Sequence, residues 1–212
     1  ILSPNRSVIV TEHHGRIRPE RLHWKPRLRR RIADLPGVTT SLRSFRWSHY
    51  RTLIDQLPLL YVLGHAGEAV EGPVRLVYEP PLSPAEQHFV PRCLPPGVEL
   101  CPVEPGSLYR LERYLYASYL SWGGFGGLPR VYLDDFLRAF APRRPRTRDR
   151  LVYVSRADAE KGRRVLNEDR LLTKLGPLGF ERVVLEELTI PAQIDLFHDA
   201  ACVVAPHGAG LA

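Results

Sequence analysis

The 212-residue sequence predicts an α/β protein made of two units of parallel sheet covered by helices. Three observations predict it. β-Branched runs alternate with amphipathic stretches along the chain, which favours parallel strands joined by helical crossovers. The segment Ala141 to Arg150 (APRRPRTRDR) joins two prolines and five arginines with no apolar periodicity, and so reads as a connection. Finally, the apolar run Ala201 to Ala205 passes straight into Pro206-His207-Gly208-Ala209-Gly210, the glycine-rich turn that ends a strand of a doubly wound nucleotide-binding domain. The expected division is an N-terminal α/β domain at 1–140, a basic, proline-rich linker at 141–150, and a partial nucleotide-binding domain at 151–212. That last domain is expected to break off where its next helix would begin.

Taken in order, Ser7 to Thr11 reads as a short strand. Trp47 to Gly64 reads as a helix because Tyr50, Leu53, Ile54, Leu57 and Leu60 recur at three and four residues; Pro58 inside the pattern should kink or end it. Val74 to Tyr78 is a compact β-branched run and hence a strand. Ser83-Pro84-Ala85-Glu86 carries a capping box with proline at the first helical position. Gly123 to Gly127 reads as a glycine-rich loop and Val131 to Ala141 as a helix. Beyond the linker, Leu151 to Ser155 is a strand, and one or two helices run from Ala159 to Leu175. Arg182 to Leu185 is a second strand. Thr189 caps a helix with Ile190, Ile194, Phe197 and Ala201 on one face, and Ala201 to Ala205 is a third, buried strand.

Composition narrows the function. With 44% apolar residues the chain is ordinary globular material, and no apolar run approaches the ~18 residues of a membrane span. The net charge of +7 is concentrated in Arg16 to Arg31, where eight basic residues face Glu20 alone. Such a run attracts polyanions, and its expected role is a solvated surface that can rest on an anionic membrane. It lacks the interleaved aromatics that stack single-stranded bases, which argues against specific nucleic-acid binding. Cys93, Cys101 and Cys202 have no metal-ligand spacing and are read as free buried thiols, a Cys93–Cys101 bridge being the lesser alternative. A reducing, cytoplasmic setting is expected, or the secretory lumen if an N-terminal anchor has been removed.

The chemistry is expected beyond the carboxyl ends of the strands, where open α/β sheets bind ligands. Ser155 and Arg156 follow one strand and Pro206 to Gly210 another. Glycines there admit a phosphate close to the backbone, and an arginine can grip a diphosphate through a planar fork of donors. Arg156 is thus a donor-site candidate or else an exposed salt-bridge partner. His207 either donates to a phosphate or orders its loop.

Tyr153-Val-Ser-Arg156, Arg163-Arg164-Val-Leu-Asn167-Glu168, Gly179-Phe180, Glu187-Leu188, Gln193-Ile-Asp-Leu-Phe197, Ala200 and Pro206-His207-Gly208-Ala209-Gly210-Leu211 together resemble glycosyltransferase family 61 in order and spacing. Upstream, Leu35 to Val38 and Ser48 to Pro58 are similar to that family's entry into its first domain. The resemblance implies two Rossmann-like domains of GT-B type, the second truncated at its C-terminus. It implies inverting, metal-independent transfer from a nucleotide sugar, expected to be UDP-linked, to a hydroxyl of a glycan or polysaccharide, with no cofactor. The donor-side residues it implies are Ser155, Arg156, Arg164, Asn167, Glu187, His207, Gly208, Ala209 and Gly210, although Asn167 and Glu168 read better as a helix cap and its dipole partner than as ligand contacts. Inverting transfer needs a base. The family often carries histidine where this chain has Arg51, which cannot serve as one. Asp55, four residues on, and His49 are the candidates, with a surface charge the alternative role for Asp55. The competing function is a glycosyltransferase-like assembly protein that has lost catalysis.

Overall fold

The computed structural model describes residues 32–42, 49–65, 72–104, 107–116, 120, 127–157 and 164–208. The expected strand Ser7 to Thr11, the basic run Arg16 to Arg31, and Gly123 to Gly126 lie outside these residues. So do Ala209 and Gly210. The chain forms two compact units, Ile1–Ser44, Leu59–Leu82 and Cys93–Ser118 in one, and Phe45–Pro58, Ser83–Arg92 and Tyr119–Ala212 in the other. The second unit takes in three stretches that precede the linker at 141–150.

The first unit holds a four-stranded, all-parallel sheet in the order β3-β2-β1-β4, with β1 at Ile32–Ser41, β2 at Val74–Tyr78, β3 at Val98–Pro102 and β4 at Leu108–Tyr114. β2 matches its expected span, and its buried Val74 and Leu76 alternate with more open neighbours. β1, β3 and β4 were not legible. β1 contains Pro36 and Gly37, and the structure accommodates them with a register shift between Leu35 and Val38 and a φ of +79° at Gly37, a value glycine adopts freely.

Helix α1, His49–Arg51, passes through a π-helical turn at Thr52–Gln56 into α2, Leu57–His65. Pro58 was expected to kink or end this helix. The helix does not end there: the extra residue of the π turn precedes the proline, with Leu57 N–H bonding Thr52 O. A proline offers no N–H and crowds the carbonyl four residues before it, and a widened turn relieves that crowding. Helix α3, Pro84–Cys93, starts on the expected capping box: Ser83 N–H donates to Glu86 Oε2 at 2.7 Å, and Glu86 N–H donates to Ser83 Oγ at 3.3 Å.

In the second unit α4 spans Arg130–Phe140. Three parallel strands follow in the order β6-β5-β7: β5 at Arg150–Val154, β6 at Phe180–Val183 and β7 at Ala200–Val204. They are the three expected strands, displaced by one or two residues. Of the one or two helices expected from Ala159 to Leu175, α5 occupies Glu168–Leu175 after a turn at 166–167, and residues 158–163 lie outside the described residues. Helix α6, Ile190–Asp199, is capped by Thr189, whose Oγ1 accepts from Ala192 N–H at 3.3 Å.

The central strand β5 explains how this unit is layered. Val152 and Val154 point to one face and pack with Leu185 and Leu196 of the α6 side. Tyr153 and Ser155 point to the other face and bond Glu168 at the start of α5. All four are buried, as a parallel strand covered on both faces requires. β7 departs from expectation. It was read as buried, whereas its Ala201 and Cys202 are exposed, and it is the outer strand among the described residues. The three cysteines are free thiols, as read, but Cys202 is exposed and Cys93 and Cys101 are half-buried.

The linker is pinned rather than loose. Arg144 makes a two-pronged pair with Asp199, at 2.7 and 2.6 Å, and also reaches Asp195. Its carbonyl bonds His198 Nε2 at 3.0 Å, which makes that nitrogen the donor.

Candidate functional site

In the second sheet the chain leaves β5, builds β6 on one side of it, then crosses to place β7 on the other. The strand order therefore reverses between the carboxyl ends of β5 and β7, the place where doubly wound sheets form a ligand crevice. Arg156 stands just after β5, and Pro206, His207 and Gly208 just after β7.

The structure brings these residues into contact. Arg156 Nη1 donates to His207 O at 3.1 Å. The guanidinium also lies directly over Gly208: a Cβ there would overlap Nη1 and stand 3.0 Å from Cζ. Glycine at 208 leaves room for the guanidinium to rest where a side chain would otherwise stand. The result is a cation seated on a glycine turn, with His207 exposed beside it. A fork of charged N–H donors at this position suits the oxygens of a phosphate or diphosphate.

Ser155 lies in the crevice wall but is committed inward. It is 1% exposed, its Oγ lies 2.9 and 2.8 Å from the two Glu168 carboxylate oxygens, and it accepts from Ala157 N–H at 3.2 Å. Tyr153 OH also donates to Glu168, at 2.9 Å, and Arg182 Nε stands 3.5 Å away. Burial, the largest influence on Glu168, pushes its carboxyl up, but the bonds from Ser155 and Tyr153 and the charge of Arg182 outweigh it and hold the group below its ordinary value. Burial and then the Glu168 carboxylate push the Tyr153 phenol up to about 12. Sequence reading left Glu168 as a helix-dipole partner and overlooked Tyr153. The available signal was the two-residue spacing of Tyr153 and Ser155, which puts both on one face of β5.

The remaining candidates are dispersed. Arg164 and Asn167 are exposed; Asn167 occupies the N-cap position of α5 but its side chain makes no capping bond. Glu187 is exposed on the 3-10 turn Leu185–Glu187 and borders a shallow hollow with Arg150, Glu181 and Arg182, away from Arg156 in its lining.

Asp55 is buried, not a surface charge. It lies in the π turn and pairs at 2.7 Å with Arg51, the residue just before that turn. His49 lines an apolar hollow of about 240 Å³ with Leu53, Phe89, Phe136, Phe140 and His198. Burial lowers its pKa, so its imidazole is neutral at neutral pH. Neither Arg156 nor His207 borders that hollow. His198, also overlooked in the sequence, is 9% exposed and has Nδ1 buried with no partner among the described residues.

In the first unit the order likewise reverses beside its first strand, between the carboxyl ends of β1 and β4, where Ser41 Oγ and Tyr114 OH share a hydrogen bond of 2.6 Å. Among the described residues no group of three or more His, Cys, Asp or Glu side chains is placed to hold a metal ion, and no helix is long and apolar enough to cross a membrane.

Residues 47–212 match the model of the family described as Glycosyltransferase 61. A search of curated proteins returned no match.

Proposed function

The chain belongs to glycosyltransferase family 61, its match covering well over half the sequence, and from that premise we propose that it moves a sugar from a nucleoside diphosphate donor to a hydroxyl of a glycan or polysaccharide. The observation that carries the reading is the Arg156 guanidinium seated on Gly208 and tied to His207 O at the order reversal of the second sheet.

In such a transfer the anomeric carbon–oxygen bond to the diphosphate breaks while the acceptor oxygen attacks from the opposite face, with inversion, and negative charge gathers on the leaving phosphate. Arg156 meets that charge with oriented N–H donors, and His207 completes the seat. The reading takes the donor as UDP-linked and assigns the neutralisation to arginine rather than to a divalent ion. For the acceptor proton, a neutral imidazole is ready to accept it, whereas Asp55 is engaged by a permanent cation. Of the two, His49 has the chemistry of a base, and it lines a hollow separate from the seat at Arg156 and His207.

Arg156→Ala tests the seat. UDP binding measured by titration calorimetry should weaken by roughly 1.5–3 kcal/mol, the range of a charge-assisted hydrogen bond. Unchanged affinity in a folded variant would remove Arg156 from the donor site.

A further inference from the structure

We propose that Glu168 is a positioning residue for the donor site: its carboxylate orients the Ser155 hydroxyl, which locks the turn that presents Arg156. The proposal rests on the reading of Arg156 as the ligand of the donor diphosphate.

A carboxylate beside a site for anions calls for an explanation, since its charge repels the ligand. Its partners supply one. Glu168 accepts from Tyr153 OH and Ser155 Oγ and faces Arg182 Nε, so both oxygens are turned inward and occupied. An ionised carboxylate only accepts hydrogen bonds, so the Ser155 hydroxyl has to donate to it. The hydroxyl's lone pairs are then left to Ala157 N–H, which it receives at 3.2 Å. The relay runs in one direction, from Ala157 N–H to Ser155 Oγ–H to Glu168, and it closes a turn around Arg156.

Ser155 is fixed from the other side by its own N–H, which donates to Val183 O at 2.8 Å. Arg156 is thereby held at both ends. Its backbone sits between two residues pinned to the Glu168 relay, and its head group sits on His207 O and Gly208. The pairing with Arg182 and the two hydroxyl donors offset the carboxylate's charge locally, which limits its repulsion of a diphosphate.

Glu168→Gln keeps the shape but removes the fixed direction of the relay, because an amide nitrogen facing Ser155 donates instead of accepting. UDP affinity should fall about tenfold, as for the outer partners of ligating groups elsewhere. In an Arg156→Ala background the same change should alter affinity by less than about twofold, because the effect passes through Arg156. Equal losses in both backgrounds, or no loss in either, would overturn the proposal.

Hydrogen exchange reads the turn with no nucleotide present. The Ala157 amide should exchange faster in Glu168→Gln while the β5 amides stay protected, and Ser155→Ala should give the same result if the first variant does not fold. Unchanged protection at Ala157 in a folded variant overturns the positioning role whatever Arg156→Ala does. Faster exchange with UDP binding indifferent to Arg156→Ala would instead sink the donor-site reading and leave the relay standing only as a structural clamp, which also overturns its role in binding.

Discussion

Gly208 is a single residue on which packing and binding make opposite demands. Its backbone is not in the left-handed region, so alanine is conformationally acceptable; the obstacle is the Arg156 guanidinium, the far end of a flexible side chain. Gly208→Ala should therefore push the guanidinium aside at little cost to the fold, within about 0.5 kcal/mol. UDP affinity should drop toward that of Arg156→Ala. Calorimetry of binding and of unfolding on the same sample checks both halves, and a large loss of stability with binding intact would refute the seat. The glycine turn itself was legible, because glycines after a buried strand invite a phosphate. That the turn would be filled by an arginine from fifty residues away was not, since sequence spacing carries no information on which strand ends become neighbours. For the same reason Asp55 read as a surface charge: its burial depends on packing around the π turn, which helical periodicity does not encode.

Elements were readable where a local rule dictates them. The capping box at Ser83, the N-cap at Thr189 and the β-branched run of β2 are set by residues within one or two turns of each other, and all appear as read. β1, with Pro36 and Gly37 in its middle, breaks the local rule and owes its strand geometry to neighbours on both sides. The clamp between the linker and α6 is likewise non-local. Asp199 ends α6, where the helix dipole disfavours a negative charge, and Arg144 supplies the compensation. The hydrogen bond from Arg144 leads the influences that lower the Asp199 carboxyl to about 2, from an ordinary value of 3.8. Its folded value lies below its unfolded one, so folding favours the ionised form. The stabilisation is complete above about pH 4 and is lost as pH falls through about 2. Arg144→Ala removes it. The difference in thermal midpoint between wild type and variant should be steady at pH 7 to 5 and shrink toward pH 2. A gap that stays constant down to pH 2 would show that the pair does not act through ionisation.

At the scale of the whole molecule, a boundary drawn from composition and a grouping drawn from contacts report different things. The proline and arginine content of 141–150 marks an exposed connection, and exposure is what composition reports. Compactness is a separate property. Phe45–Pro58 and Ser83–Arg92 gather with the residues from Tyr119 onward, and Phe89 of α3 meets Phe136 and Phe140 of α4 at ring distances of 5.7 and 5.0 Å. A fragment of residues 141–212 lacks all of these partners. It should show no cooperative thermal transition by circular dichroism, whereas the full chain should; a sharp transition in the fragment would mark the linker as a true domain boundary. The three thiols of the molecule differ in the same way, by what surrounds them. Cys93 is raised to about 11 by burial and stays protonated in neutral solution, while Cys202 stands exposed on the outer strand, five residues before His207. Reactivity toward alkylating dyes follows the exposed sulfur, so the chain carries a built-in attachment point for a fluorophore on the very strand that delivers the glycine turn, and asking optically whether a nucleotide settles there needs no engineered cysteine.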